Sequence, residues 1–236
     1  MRASLSRRLN NFRLSRLNGR VFISGTGRAG TTFLIQVLSD LGLDTGFGRS
    51  GVFGGRGRPA PEAPSEQYFE TARAGLERDI FLADNPLIVK SPYLCDHVDD
   101  LLAAGIKIGH LVIPVRDIRQ AAESRRHVQN ETTGQIDGVG VAGGLWDTDH
   151  ALRQEEILAL KFARLIEAGA RNDIPMTFLA YPRFARDADY AFDTLRFLFP
   201  FTSRAAFRTQ FAARVKPDWV HDFGKEPAIQ NRSGKM

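Results

Sequence analysis

Four short apolar runs alternate along the chain with longer segments of helical spacing. Arg20-Val21-Phe22-Ile23-Ser24 ends at a glycine and reads as a buried strand. Thr31 to Leu41 then places Leu34, Val37, Leu38 and Leu41 at helical intervals, with Gly42 positioned as a cap. Pro86 to Lys90 and Ile106 to Val115 read as the second and third strands, with a helix from Tyr93 to Ala104 between them. The third is apolar enough along its length to be buried on both faces. Ile174 to Ala180 is the fourth strand. Helical spacing also covers Glu66–Arg78, Asp117–Asn130, Ala151–Ala170, Asp187–Phe199 and Ser203–Val215.

Two segments break this rhythm. Residues 43–65 hold six glycines together with Pro59, Pro61 and Pro64, and residues 131–149 form a second Gly-rich stretch. Loops of that length inside a domain are usually functional or mobile. Together with Phe47, Phe53, Tyr68 and Trp146, these stretches suit either the wall of a ligand pocket or plain loop anchoring. Strands alternating with helices predict an α/β fold, a parallel sheet flanked by helices on both faces. The chain divides into a basic leader (1–19), one domain (20–215) and a polar tail (216–236).

Composition narrows the picture. The net charge of +5 invites a nucleic-acid reading, but the first 20 residues carry six arginines and no acid. The remaining 216 residues carry 26 basic and 27 acidic side chains, so no basic surface spreads over the fold and no nucleic-acid partner is expected. A single cysteine, Cys95, excludes an internal disulfide framework and suits a reducing, cytoplasmic setting. No apolar run reaches the ~20 residues of a membrane span. Leu5, Leu9 and Phe12 share one helical face of the leader among arginines. That leaves a surface-lying amphipathic helix, a helix packed on the domain, a disordered start and an organelle transit peptide as open readings.

The chemistry concentrates after the first strand. Gly25-Thr26-Gly27-Arg28-Ala29-Gly30-Thr31-Thr32 is G-x-x-x-x-G followed by two hydroxyls, in the strand–turn–helix setting of a phosphate-cradling loop. Glycines allow a tight turn that aims successive N–H groups inward, and the helix N-terminus adds partial positive charge. An NTP-hydrolysing loop has lysine where Thr31 stands; here the nearest cation is Arg28, three residues earlier. A second anion site is suggested by Arg116, at the end of the third strand, and Ser124, eight residues on.

These features together resemble the PAPS-dependent sulfotransferases, which have a P-loop α/β fold. Arg28-Ala29-Gly30-Thr31-Thr32 is similar to their 5′-phosphosulfate loop, with Ala29 in a Ser position, and Arg116 and Ser124 match the spacing of their 3′-phosphate pair. Lys90-Ser91-Pro92 matches a Lys-x-Pro of bacterial members, and Tyr181 opens a degraded form of a Tyr-Glu-Asp-Leu segment. The likeness extends over residues 20–200. The family's C-terminal Arg-Lys-Gly clamp has no clean counterpart, with Lys225 or Arg232-Ser233-Gly234-Lys235 as substitutes, and the histidine base of the cytosolic enzymes is Pro92 here.

The resemblance implies transfer of a sulfuryl group from PAPS to a hydroxyl or amine of a small-molecule, carbohydrate or lipid acceptor, releasing PAP without a metal. It assigns Gly27, Arg28, Ala29, Gly30, Thr31 and Thr32 to the 5′-phosphate, Arg116 and Ser124 to the 3′-phosphate, and Tyr181 to the nucleotide. Lys90 would neutralise the leaving oxygen. Asp44, His127 and His150 are the candidates for the base that deprotonates the acceptor. The alternatives are a P-loop kinase using Mg-ATP and a non-catalytic nucleotide-binding module.

Overall fold

A computed structural model of the chain describes residues 2–47, 80–132, 143–146 and 153–215. The basic leader is an α-helix, α1 (Arg2–Leu14), packed on the domain. There follow β1 (Arg20–Ile23), α2 (Thr31–Asp40), β2 (Ile88–Lys90), α3 (Val98–Ala103), β3 (Ile108–Val115) and α4 (Ile118–Thr132). α5 (Gln154–Arg171), β4 (Met176–Ala180), α6 (Arg183–Arg186), α7 (Ala188–Leu195), a 3₁₀ turn (Arg196–Leu198) and α8 (Arg204–Arg214) follow. The expected helix over Tyr93–Ala104 is instead a 3₁₀ turn, Pro92–Asp96, followed by the six-residue α3. His97, at φ −132°, leaves helical geometry and separates the two. The expected Glu66–Arg78 helix lies outside the described residues.

The four strands pair in parallel in the order β2-β1-β3-β4. Alternate side chains enter opposite layers, as the period of two requires. Val21, Ile23, Ile88, Val112 and Leu179 pack with Leu34, Val37 and Leu38 of α2 and with Phe192, Phe207 and Phe211 of α7 and α8. Phe22, Val89, Leu111 and Ile113 face the other way, against Val98 and Leu101 of α3 and Leu165 of α5. Helices therefore cover both faces, and the strands are apolar throughout because both of their sides are buried.

Chain order and strand order together locate the ligand edge. β1 passes to β2 on one side, and the chain then crosses back to β3 on the other side of β1. The loops leaving β1 and β3 thus diverge at a switch point, where open parallel sheets form a crevice beyond their C-terminal ends.

α1 is seated at the other edge of the sheet. Asn10, fully buried, donates to Thr202 Oγ1 at 2.8 Å and accepts from the Phe201 N–H at 3.0 Å. Asn11 donates to the Gly42 carbonyl at 2.9 Å and accepts from the Asp44 N–H at 2.8 Å, while Leu14 joins the core. Among the described residues no helix is long and apolar enough to cross a membrane.

Candidate functional site

The loop from Gly25 to Gly30 holds its shape through left-handed backbone at three positions: Gly27 (φ 66°), Arg28 (φ 52°) and Gly30 (φ 77°). Turns of this kind direct successive N–H groups to one side and form anion-binding concavities. Two of its glycines are also required by close packing. A Cβ on Gly30 would lie 2.9 Å from Phe184 Cζ and 3.0 Å from the Tyr181 ring, and one on Gly27 would overlap the Arg125 guanidinium. Gly30 caps α2, whose first residue, Thr31, is buried; Thr32 is half-buried and Ala29 fully buried.

The residues after β3 close on this loop. Arg116 is buried and donates from Nη1 to the Arg28 carbonyl at 2.8 Å. α4 carries Ser124, also buried, to the loop, and Arg28 Nε donates to Ser124 Oγ at 3.1 Å. Arg116 and Ser124 therefore meet at one residue, Arg28. Tyr181, which follows β4, donates its N–H to the Val115 carbonyl at 2.7 Å and lies under the Arg116 guanidinium at 4.9 Å. It touches both Arg116 and the Gly30 turn, so its place is beside the loop.

Two guanidiniums in one pocket repel each other. Desolvation, then the charge of Arg116, lowers the Arg28 pKa, with Tyr181 acting weakly in the opposite sense. Arg28 as a whole residue is exposed, so this shift describes a local field and not a contribution to stability. The side chain remains protonated at any physiological pH. Among the described residues no carboxylate pairs with it, so a bound anion would relieve the field.

Arg125 is a residue the sequence reading passed over. It is almost fully buried, donates from Nη2 to the Thr26 carbonyl at 2.9 Å and from Nη1 to the Gly144 carbonyl at 2.6 Å, and stacks 3.7 Å from the Trp146 ring centre. It fastens the loop to the segment 143–146. Gly143 in that segment would place a Cβ 3.4 Å from Arg28 Nη1, so the segment also flanks the loop cation. A signal for Arg125 did exist: Ala121 and Ala122, four and three residues earlier on α4, set small apolar residues on the same face, and both are fully buried. Its neighbour Arg126 turns outward to Glu155 and Glu123.

Lys90 ends β2 opposite Ile23, and the Ser91 N–H donates to the Ile23 carbonyl at 3.0 Å. Its buried side chain therefore belongs to the strand edge from which the loop springs. The base candidates separate. Asp44 is not at this edge: its Oδ2 accepts from the Leu87 N–H at 3.2 Å, at the start of β2. α2 leads away from the loop for ten residues, about 15 Å, and delivers Asp44 to the opposite end of the sheet. His127 is exposed on α4, one turn beyond Ser124. His150, Phe53, Tyr68, Lys225 and the 232–235 stretch lie outside the described residues. Phe47 joins the core, whereas Trp146 stands beside the loop against Arg125.

No protein-family model, curated protein or solved structure matches the chain.

Proposed function

We propose that the chain is a sulfotransferase that takes a sulfuryl group from PAPS and passes it to an acceptor hydroxyl or amine. The observation that carries this reading is the convergence on Arg28, whose carbonyl accepts from Arg116 and whose Nε donates to Ser124. A nucleotide with phosphates at both its 5′ and 3′ positions needs two cationic anchors around one loop. Arg28 and Arg116 provide them, side by side at the C-terminal edge of a parallel sheet.

In the proposed reaction the acceptor atom bonds to sulfur, the bond from sulfur to the 5′-phosphate oxygen breaks, and PAP leaves. The protein's task is positioning and charge stabilisation. Backbone N–H groups of Gly27, Gly30 and Thr31, with the hydroxyls of Thr31 and Thr32, hold the 5′-phosphate. Arg28 balances the charge that builds on it. Lys90, at the root of the loop, faces the oxygen that leaves. Arg116 and Ser124 hold the 3′-phosphate, and Tyr181 supports Arg116 from beneath. His127, on α4 one turn beyond Ser124, takes the acceptor's proton.

Incubation with PAPS and a mixture of hydroxylated acceptors in EDTA tests the reading. Protein-dependent release of PAP is expected. PAPS left intact there, with hydrolysis of ATP in a parallel incubation containing Mg²⁺ and no EDTA, would assign the loop to a nucleotide kinase or NTPase instead.

A further inference from the structure

α1 has two faces, and the domain uses one. Asn10, Asn11 and Leu14 point inward to Thr202, Gly42 and the core. Leu5 (59% exposed), Leu9 (37%) and Phe12 (58%) point outward. At 3.6 residues per turn the two sets are centred about 180° apart on the helix. Seating of the helix therefore leaves three large apolar side chains in water, along a stripe about 10 Å long. The bare apolar stripe is not a by-product of loose packing, because its opposite face is held by four side-chain hydrogen bonds.

Arginines frame the stripe. Arg8 borders it on one side and Arg13 on the other, and both are exposed. Exposed Arg16 sets its guanidinium over the Phe12 ring at 4.7 Å, a cation resting on one end of the stripe. Residues 1–20 contain no acid. A second copy of the chain would set this patch against itself and bring arginines against arginines, because a two-fold interface pairs like with like. An anionic lipid surface offers instead an apolar interior for the stripe and negative headgroups for its rim.

We infer that the outer face of α1 docks the protein on a membrane surface rich in anionic lipid. Leu5, Leu9 and Phe12 enter the headgroup boundary, and Arg8, Arg13 and Arg16 meet the phosphates and carboxylates around them. α1 lies at the edge of the sheet where Asn11 meets Gly42 and Asp44, whereas the Arg28 loop lies at the other. The docked protein therefore keeps its anion loop turned away from the bilayer. The inference does not depend on the sulfotransferase reading.

Co-sedimentation of the full chain with vesicles tests it. Phosphatidylcholine vesicles are compared with vesicles containing about one-third phosphatidylserine. Binding to the anionic vesicles alone is expected, falling by about tenfold or more in Leu5→Ser/Phe12→Ser and in Arg8→Gln/Arg13→Gln. All four positions are exposed, and an unchanged melting temperature shows that the variants remain folded. No binding to anionic vesicles, or binding unchanged in the variants, overturns the inference. So does a dimer, seen by sedimentation velocity, that Leu5→Ser/Phe12→Ser dissolves in the absence of vesicle binding.

Discussion

Arg28 Nε donates to Ser124 Oγ at 3.1 Å, joining a loop after the first strand to a helix after the third across 96 positions of sequence. Because Arg116 also donates to the Arg28 carbonyl, the two arginines and Ser124 are built as one unit. A change in either is therefore felt at the other.

Arg116→Ala removes a buried guanidinium that contacts both loop and ligand in this account. The loss of charge-assisted hydrogen bonds costs about 1.5–3 kcal/mol, or roughly 10–100-fold in PAP affinity. AMP, without a 3′-phosphate, should lose much less. Calorimetric titration with the two nucleotides makes the comparison, and equal losses would leave Arg116 as a support for the loop alone.

Arg125→Ala should destabilise the fold by about 2–4 kcal/mol, because the Thr26 and Gly144 carbonyls lose a buried donor and Trp146 loses its stacking partner. Arg125→Lys keeps the charge but cannot bridge both carbonyls in one plane, and should fall between. Urea denaturation measures both. Stability within 0.5 kcal/mol of the parent, about the scatter of surface substitutions, would deny Arg125 its bracing role.

Gly27→Ala and Gly105→Ala separate backbone strain from crowding. Both positions have positive φ, but a Cβ at Gly105 meets nothing within 4 Å and one at Gly27 overlaps Arg125. Gly105→Ala should cost about 1 kcal/mol through strain. Gly27→Ala should cost about 2–3 kcal/mol and weaken PAP binding as Arg125 is displaced. Similar denaturation midpoints for the two variants would contradict the packing described at the loop.

Cys95 should resist alkylation. Burial, then the neighbouring Asp96 carboxylate, pushes its thiol up from 9.0 to about 12. At pH 8 about one molecule in ten thousand then carries the reactive thiolate. Iodoacetamide should label Cys95 only after denaturation, as read by mass spectrometry, and quick labelling of the native protein would contradict this. The same shift has a linkage consequence. The unfolded chain releases the thiol proton near pH 9 and the folded chain does not, so this contribution to stability is present below pH 9 and is lost as pH rises toward 12.

Much of the architecture is legible before any coordinates. Phe22, Val89, Leu111 and Ile113 lie in runs too apolar for a half-exposed strand, and they form one face of a doubly covered parallel sheet. The loop glycines at 25, 27 and 30 announce the turn because all three take positive φ, which glycine adopts without strain. What sequence spacing does not convey is direction through space. Asp44 follows α2 by four residues and looks adjacent to the loop, yet the helix has carried it to the far end of the sheet, where it caps β2. Arg125 and Arg126 are neighbours of the same type, and only the packing of α4 over the loop turns one inward and the other to Glu155. The leader's arginines, conspicuous in the charge count, are carried by a helix whose polar Asn10 and Asn11 do the docking, a role no apolar pattern reveals.

Isothermal titration of the wild-type chain in EDTA, with PAP and AMP in parallel, asks whether the loop reads both phosphates of a nucleotide. If Arg28, Arg116 and Ser124 form one cradle for a nucleotide phosphorylated at both ends, PAP binds about tenfold or more tightly than AMP without any divalent cation. Equal affinities, or binding that appears only for ADP with Mg²⁺, would contradict it.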